Sequence, residues 1–245
     1  MPRPRPALAL LTALCVVTYT GAGLWADRYV GLPGQLGLGV LTWFAFLCAT
    51  RPLAARERLQ AMLVVGVATM GEVVGSLIWG LYSYRLHNLP AFVPPGHGLV
   101  YVGGVSLAAA AVARPRFLIG AATAALAVWG LAGITILPRP DVVGAFGCLV
   151  LIIVLLKTEN AVYAGVFFMV AALELYGTAI GTWTWSASVP VLGLSAGNPP
   201  SGAASGYVLF DVTALLLAPK VVQLLRGLGR GRPSLALVSE GSRPG

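Results

Sequence analysis

Eight apolar stretches, most of them close to the ~20 residues that a bilayer core requires, divide the chain. They lie near residues 7–25, 33–50, 59–82, 97–113, 117–137, 142–156, 161–181 and 206–224, and the sixth is the shortest. Short polar or proline-bearing links separate them. The pattern predicts an all-α integral membrane protein of eight transmembrane helices. Residues 1–225 then form a single transmembrane domain. Residues 226–245, "RGLGRGRPSLALVSEGSRPG", are rich in Gly, Arg, Ser and Pro and read as a disordered cytoplasmic tail. The opening "MPRPRPALALLTALCVV" has the basic start and apolar run of a secretory signal. No small-x-small cleavage site follows and another span comes next, so it reads as an uncleaved first helix.

Polar positions interrupt the apolar pattern twice in the same way. "GEVVGSLIWGLYSY" (71–84) and "LELYGTAIGTWTW" (173–185) each place a glutamate in an apolar run that closes on alternating aromatics. Glu72 aligns with Glu174 and Gly75 with Gly177. With a one-residue slip, Gly80, Tyr82 and Tyr84 align with Gly181, Trp183 and Trp185. A proline follows each (Pro90, Pro190), then a double proline (Pro94-Pro95, Pro199-Pro200), then a span bearing a tyrosine (Tyr101, Tyr207). Residues 1–116 and 117–225 therefore read as a duplicated four-helix unit. Four is even, so both halves insert the same way round, as a parallel repeat about an axis along the membrane normal.

Composition agrees with the pattern. Hydrophobic residues make up 58% of the chain, charged residues 10%, and the mean hydropathy is +0.85, whereas a soluble domain is about a quarter charged. The distribution of the 16 Lys and Arg residues gives the direction. With both termini cytoplasmic, Arg3, Arg5, Arg51, Arg56, Arg58, Arg114, Arg116, Lys157, Lys220, Arg226, Arg230, Arg232 and Arg243 face inward, and only Arg28, Arg85 and Arg139 face outward. The pI of 9.9 thus reflects topology and attraction to anionic lipid, not a nucleic-acid partner, which would need a basic face with stacking aromatics. Cys15, Cys48 and Cys148 fall within spans without paired spacing and read as small apolar fillers.

The candidate chemistry lies in the acids. A carboxylate at mid-bilayer costs ~2.5–3.5 kcal/mol on insertion scales and is by default a functional-site hypothesis. Glu72, Glu174 and Asp211 are the three within spans. Asp27, Glu57, Asp141, Glu159 and Glu240 fall in links or the tail and carry no special expectation. Glu72 and Glu174 sit at one depth, roughly 20 Å from the cytoplasmic end at 1.5 Å per residue. Asp211 is placed at a similar height, so the three are expected to converge on one chamber opening outward. Tyr207 shares a helix face with Asp211, and His97 with Tyr101, each pair at i, i+4. His97, Tyr101 and Tyr207 are the candidate substrate-binding groups from the fourth and eighth spans, Asp211 is a candidate catalytic acid, and His87 reads as a solvated loop residue. Tyr82, Tyr84, Trp183 and Trp185 are expected at the outer interface, either as an amphipathic belt or as rings that shelter a cation at the chamber mouth. Arg85 reads as a snorkelling cation, or as an anchor for an anionic headgroup.

No nucleotide loop, nucleophile elbow or metal-spaced His/Cys cluster is present, so no metal and no cofactor are expected. A carboxylic acid in a greasy cavity stays protonated and can donate to a weak base such as a lipid-phase alkene. Protonating an isoprenoid double bond would give a carbocation, captured by water in a hydration or by a second alkene in a cyclisation. A small proton-coupled transporter and a non-catalytic membrane subunit are the competing classes.

The order of glutamate helix, aromatic alternation, proline-bearing loop and new span resembles the carotenoid biosynthesis membrane proteins. That group includes bacterioruberin-type carotenoid hydratases and, more distantly, small membrane lycopene cyclases. "GLYSYRLHNLPAFVPP" (80–95) and "GTWTWSASVPVLGLSAGNPP" (181–200) carry the likeness. The resemblance implies a hydrophobic carotenoid or isoprenoid substrate drawn from membrane lipid, with Glu72, Glu174 and Asp211 as catalytic acids. The cyclases' Leu-Pro-x-Glu-Glu-like acid pair has no counterpart in "VPPGHGLVY" or "GNPPSGAAS", which sets hydration ahead of cyclisation.

Overall fold

Helices begin where the chain offers a residue that can start one. The computed structural model describes residues 5–230. In it α1 (Pro6–Asp27), α2 (Leu32–Thr50), α4 (Val93–Ala110) and α5 (Pro115–Thr135) each carry proline at the first or second position, where its missing N–H costs nothing. In α3 (Ala55–Glu72) the Glu57 side chain accepts the Ala54 N–H at 3.0 Å. Asp141 caps α6 (Val142–Thr158) through the Gly144 N–H at 3.0 Å, and Asn160 caps α7 (Ala161–Ala179) through the Val162 N–H at 3.0 Å. The last helix, α8, runs Ala203–Arg230, five residues into the stretch expected as tail. The rest of that tail, with Glu240, Arg232 and Arg243, lies outside the described residues, as does Arg3.

Six helices are long and apolar enough to cross a bilayer: α1, α2, α3 with its extension to Ile78, α5, α7 and α8. The other two are α6, apolar but 17 residues long, and α4, with 18. The third span was expected to reach residue 82. Instead α3 passes at Glu72 into a π-helical segment, Val73–Ile78, and the chain reverses at Gly80, whose φ is +70°. After α7 the matching turn is at Gly181, with φ +76°. Only glycine takes this conformation without strain. Each turn leads into a three-residue strand, β1 (Tyr82–Tyr84) and β2 (Trp183–Trp185). The strands pair antiparallel as Tyr82 with Trp185, Ser83 with Thr184, and Tyr84 with Trp183. The aromatic alternation, expected as an interfacial belt or as rings at the chamber mouth, is a β-ribbon.

Four helices form the inner group. α4 packs on α1, α2, α3 and α7, and α8 packs on α3, α6 and α7. At the α4–α7 crossing Gly104 and Gly165 leave no room for a Cβ, the small-residue approach that membrane helices favour. The main core, with Phe46, Leu126, Leu151, Leu155 and Phe167 fully buried, lies along these contacts. A smaller cluster of Leu24, Tyr84, Phe92 and Trp183 sits under the ribbon. The inner helices thus bring Glu72, His97, Glu174 and Tyr207 together at the ribbon end of the bundle.

Candidate functional site

Each glutamate is held by the aromatic strand that follows it. Glu72, 3% exposed, accepts the hydroxyls of Tyr82 and Tyr84 on Oε2, both at 2.7 Å. Its Oε1 lies 2.8 Å from His97 Nε2. Glu174, 2% exposed, accepts the indole N–H groups of Trp183 and Trp185 on Oε2, both at 3.0 Å, and the Tyr207 hydroxyl on Oε1 at 3.4 Å. Three ring contacts join the acid clusters: Tyr82 with Trp185, centroids 4.5 Å apart, His97 with Tyr207, 5.0 Å apart, and Tyr84 with Trp183, 6.1 Å apart.

The local sequence explains how the rings fold back. In each half a glycine stands three residues after the acid, one helical turn on. A Cβ at Gly177 would run into the Trp183 ring, whereas one at Gly75 would just touch the Tyr82 ring at 3.4 Å. The bare backbone at Gly177 lets the Trp183 ring from beyond the turn lie against the helix and reach the carboxylate below. Burial first, and the Glu72 charge second, push the hydroxyls of Tyr82 and Tyr84 well above the ordinary tyrosine range, so both remain protonated donors.

Between the clusters lies one cavity of about 200 Å³, lined by both glutamates, His97, Tyr207 and the four ribbon aromatics. Phe92, Phe210, Leu38, Leu173 and Val100 complete an otherwise apolar wall. Eight of the ten expected site residues therefore meet here. Asp211 and Tyr101 do not line it. Each stands one turn beyond its chamber residue, Tyr207 or His97, and Val100 and Phe210 form the floor between. Asp211 follows Phe210, which lines the cavity, but is not itself part of the wall. It is 2% exposed, with no partner for Oδ2 among the described residues. Tyr101 and Tyr163 are within its electrostatic reach.

Two acids that seemed ordinary link residues are buried braces. Asp27, fully buried, accepts Gln35 Nε2 at 2.7 Å and pairs with Arg85 Nε at 3.4 Å. The Arg85 guanidinium also donates to the carbonyls of Asp27 and Val30, ending α1. Arg85 thus neither snorkels nor stands free for a headgroup. Asn88 extends the network through Gln35 Oε1 at 2.8 Å. Asp141 accepts the Gly197 N–H at 2.7 Å, the Ser201 N–H at 2.6 Å and the Ser201 hydroxyl at 2.8 Å. Each brace ties the first loop of its half to the proline-bearing loop that carries or follows the ribbon strand. The paired aspartates carry no periodic signal, so sequence reasoning passed over them. Phe210 was within reach, standing three residues after Tyr207 on the same helix.

Among the described residues no three His, Cys, Asp or Glu side chains form a metal-ligand group. The described chain is thus an all-α membrane bundle with two buried, hydrogen-bonded acids and a histidine on one apolar cavity. Compared with protein-family models, curated proteins and solved structures, it matches none of them.

Proposed function

We propose that this chain is a membrane-embedded enzyme of carotenoid or other isoprenoid metabolism that protonates a polyprenyl double bond. The observation that carries the reading is the pair of carboxylates, each held by its own aromatic donors, on one cavity among apolar helices. Glu174 Oε2 is occupied by two indole N–H groups, while Oε1 has only the long Tyr207 contact. Oε1 is therefore the oxygen free to hold a proton toward the cavity. Its O–H bond breaks as the alkene π pair forms a new C–H bond at the less substituted carbon. The positive charge is left on the more substituted carbon, where aromatic rings stabilise it.

Water then adds through oxygen and loses a proton to Glu72, beside His97, and the product has gained one water. If a second double bond of the same chain adds instead, a proton is lost from carbon and the product is an isomer. In both cases the released proton returns through the cavity to Glu174, and neither route consumes an electron or a net proton. The ribbon aromatics, Tyr207 and His97 bind the substrate's reactive end.

The same geometry supports a duplicated origin. Each acid takes its donors from its own half, and the strands pair about a point between Ser83 and Thr184. An axis along the membrane normal through that point relates them as a parallel repeat would. Eight helices with both termini cytoplasmic follow from this reading and from the basic residues.

The test is pigment and lipid profiling by chromatography with mass detection, in a carotenoid-producing bacterium expressing the chain. A product heavier by one water, or an isomer, present with the native chain and lost in Glu72→Gln and Glu174→Gln, is expected. An unchanged profile with the protein folded in the membrane overturns the reading. One observation favours a second reading, a proton-coupled transporter: Asp211 stands buried and partly unpartnered just beyond the chamber floor. Proton uptake by vesicles containing the chain, abolished in Asp211→Asn, would select it.

A further inference from the structure

A second cavity, of about 260 Å³, runs between α1 and α7. Val17, Thr20, Gly21 and Leu24 supply one wall, and Met169, Ala172, Leu173 and Tyr176 the other. Both sets follow the i, i+3, i+4, i+7 spacing of a single helix face, so two stripes of seven-residue length oppose each other. Val17 and Tyr176 are 39% and 38% exposed, so the groove opens on the surface of the bundle. Thr20, Leu24 and Leu173 also line the chamber of the two acids. The cavities therefore share a sill.

We infer that the α1–α7 cleft is the tail channel of the chamber's ligand, a long unbranched or prenyl hydrocarbon chain taken sideways from the bilayer with its reactive end at Glu72 and Glu174. The inference rests on the functional reading above in assigning that reactive end.

The chemistry of the walls selects the ligand class. The Thr20 hydroxyl is already bonded to the carbonyls of Val16 and Val17, at 2.8 and 3.1 Å. Apart from the Tyr176 hydroxyl at the rim, the walls offer no other side-chain polar group. A polar ligand would lose its hydrogen bonds to water there without replacement, and a hydrocarbon chain loses nothing. Size points the same way. Neither cavity reaches the roughly 300–1,000 Å³ of ordinary small-molecule sites, but joined across the sill they do. The glycines keep the path open: a Cβ at Gly21 or Gly23 would meet nothing within 4 Å.

That vacant space supplies a clean variant. Gly21→Trp puts an indole into the groove from a position whose Cβ meets no protein atom within 4 Å, and Gly21→Ala barely narrows it. The full-length chain in phospholipid vesicles is labelled with a twenty-carbon prenyl alcohol bearing a diazirine at its tail end, and adducts are mapped by mass spectrometry. Labelling of Val17, Met169 or Ala172 is expected, lost in Gly21→Trp, kept in Gly21→Ala, and competed by the unlabelled alcohol but not by added phospholipid. Labelling elsewhere, labelling unaffected by Gly21→Trp, or equal competition by phospholipid acyl chains would each overturn the inference. A saturated twenty-carbon alcohol with the same diazirine separates the two claims. If it labels the groove like the prenyl probe while no product forms in the profiling experiment, the channel stands and the alkene chemistry falls.

Discussion

Glu72 and Glu174 each collect three neighbouring donor groups, and the worth of each can be measured singly. Tyr84→Phe keeps the ring and removes one hydroxyl from the fully enclosed side of Glu72. A hydrogen bond to a charged group is worth about 1.5–3 kcal/mol, and thermal unfolding in detergent should register a loss of that order. Tyr82→Phe, less buried, should lose less, and the double variant should depart from additivity because both hydroxyls share one oxygen. The raised hydroxyls of Tyr82 and Tyr84 fix the sign of a pH effect. In the unfolded chain they ionise near pH 10, whereas in the folded protein they hold their protons. Their contribution is complete below about pH 10 and is lost as pH rises above it. Alkaline unfolding should therefore set in above that point, with a shallower slope in the double Phe variant. Residue types and spacing made eight of the ten site groups legible in the sequence. That Asp211 falls outside the cavity wall was not legible, because the wall is set by how the helices pack on one another.

The ribbon is the element that makes the two acids one site, and it depends on what precedes it. Gly181 holds φ +76° at the turn into β2, where a side chain costs roughly 1–2 kcal/mol. Gly177 must leave room for the Trp183 ring. Gly177→Ala should lower the melting temperature, while Gly21→Ala, which meets open space, should leave it unchanged. At the other face of the ribbon, Asp27 is fully buried against Arg85. Removing one partner of a buried charge pair costs about 3–5 kcal/mol, so Arg85→Met should destabilise the protein far more than a surface arginine would. Helices were legible because twenty-residue apolar runs have few alternatives in a bilayer. The three-residue strands were not, although their aromatic period of two was in plain view. A strand pair needs its partner, and the partner is about a hundred positions away in the chain.

At the scale of the whole molecule, eight helices and the arginine distribution predict that both termini lie on one face of the membrane. Reporter fusions after residue 53, after residue 113 and at the C-terminus should all report the cytoplasm, and a fusion after residue 138 the opposite side. The ribbon adds a property that its symmetry conceals. As a brace its two strands are equivalent, pairing residue for residue. As conductors they differ, because a phenol can take one proton while giving up another, and an indole N–H can only donate. Glu72 is bonded to two phenols, groups of the kind that can relay a proton. Glu174, bonded to two indoles, is insulated on that side and exchanges only through Oε1. The exchange of Tyr for Trp between the two strands thus leaves two like-placed acids with unlike neighbours for proton exchange.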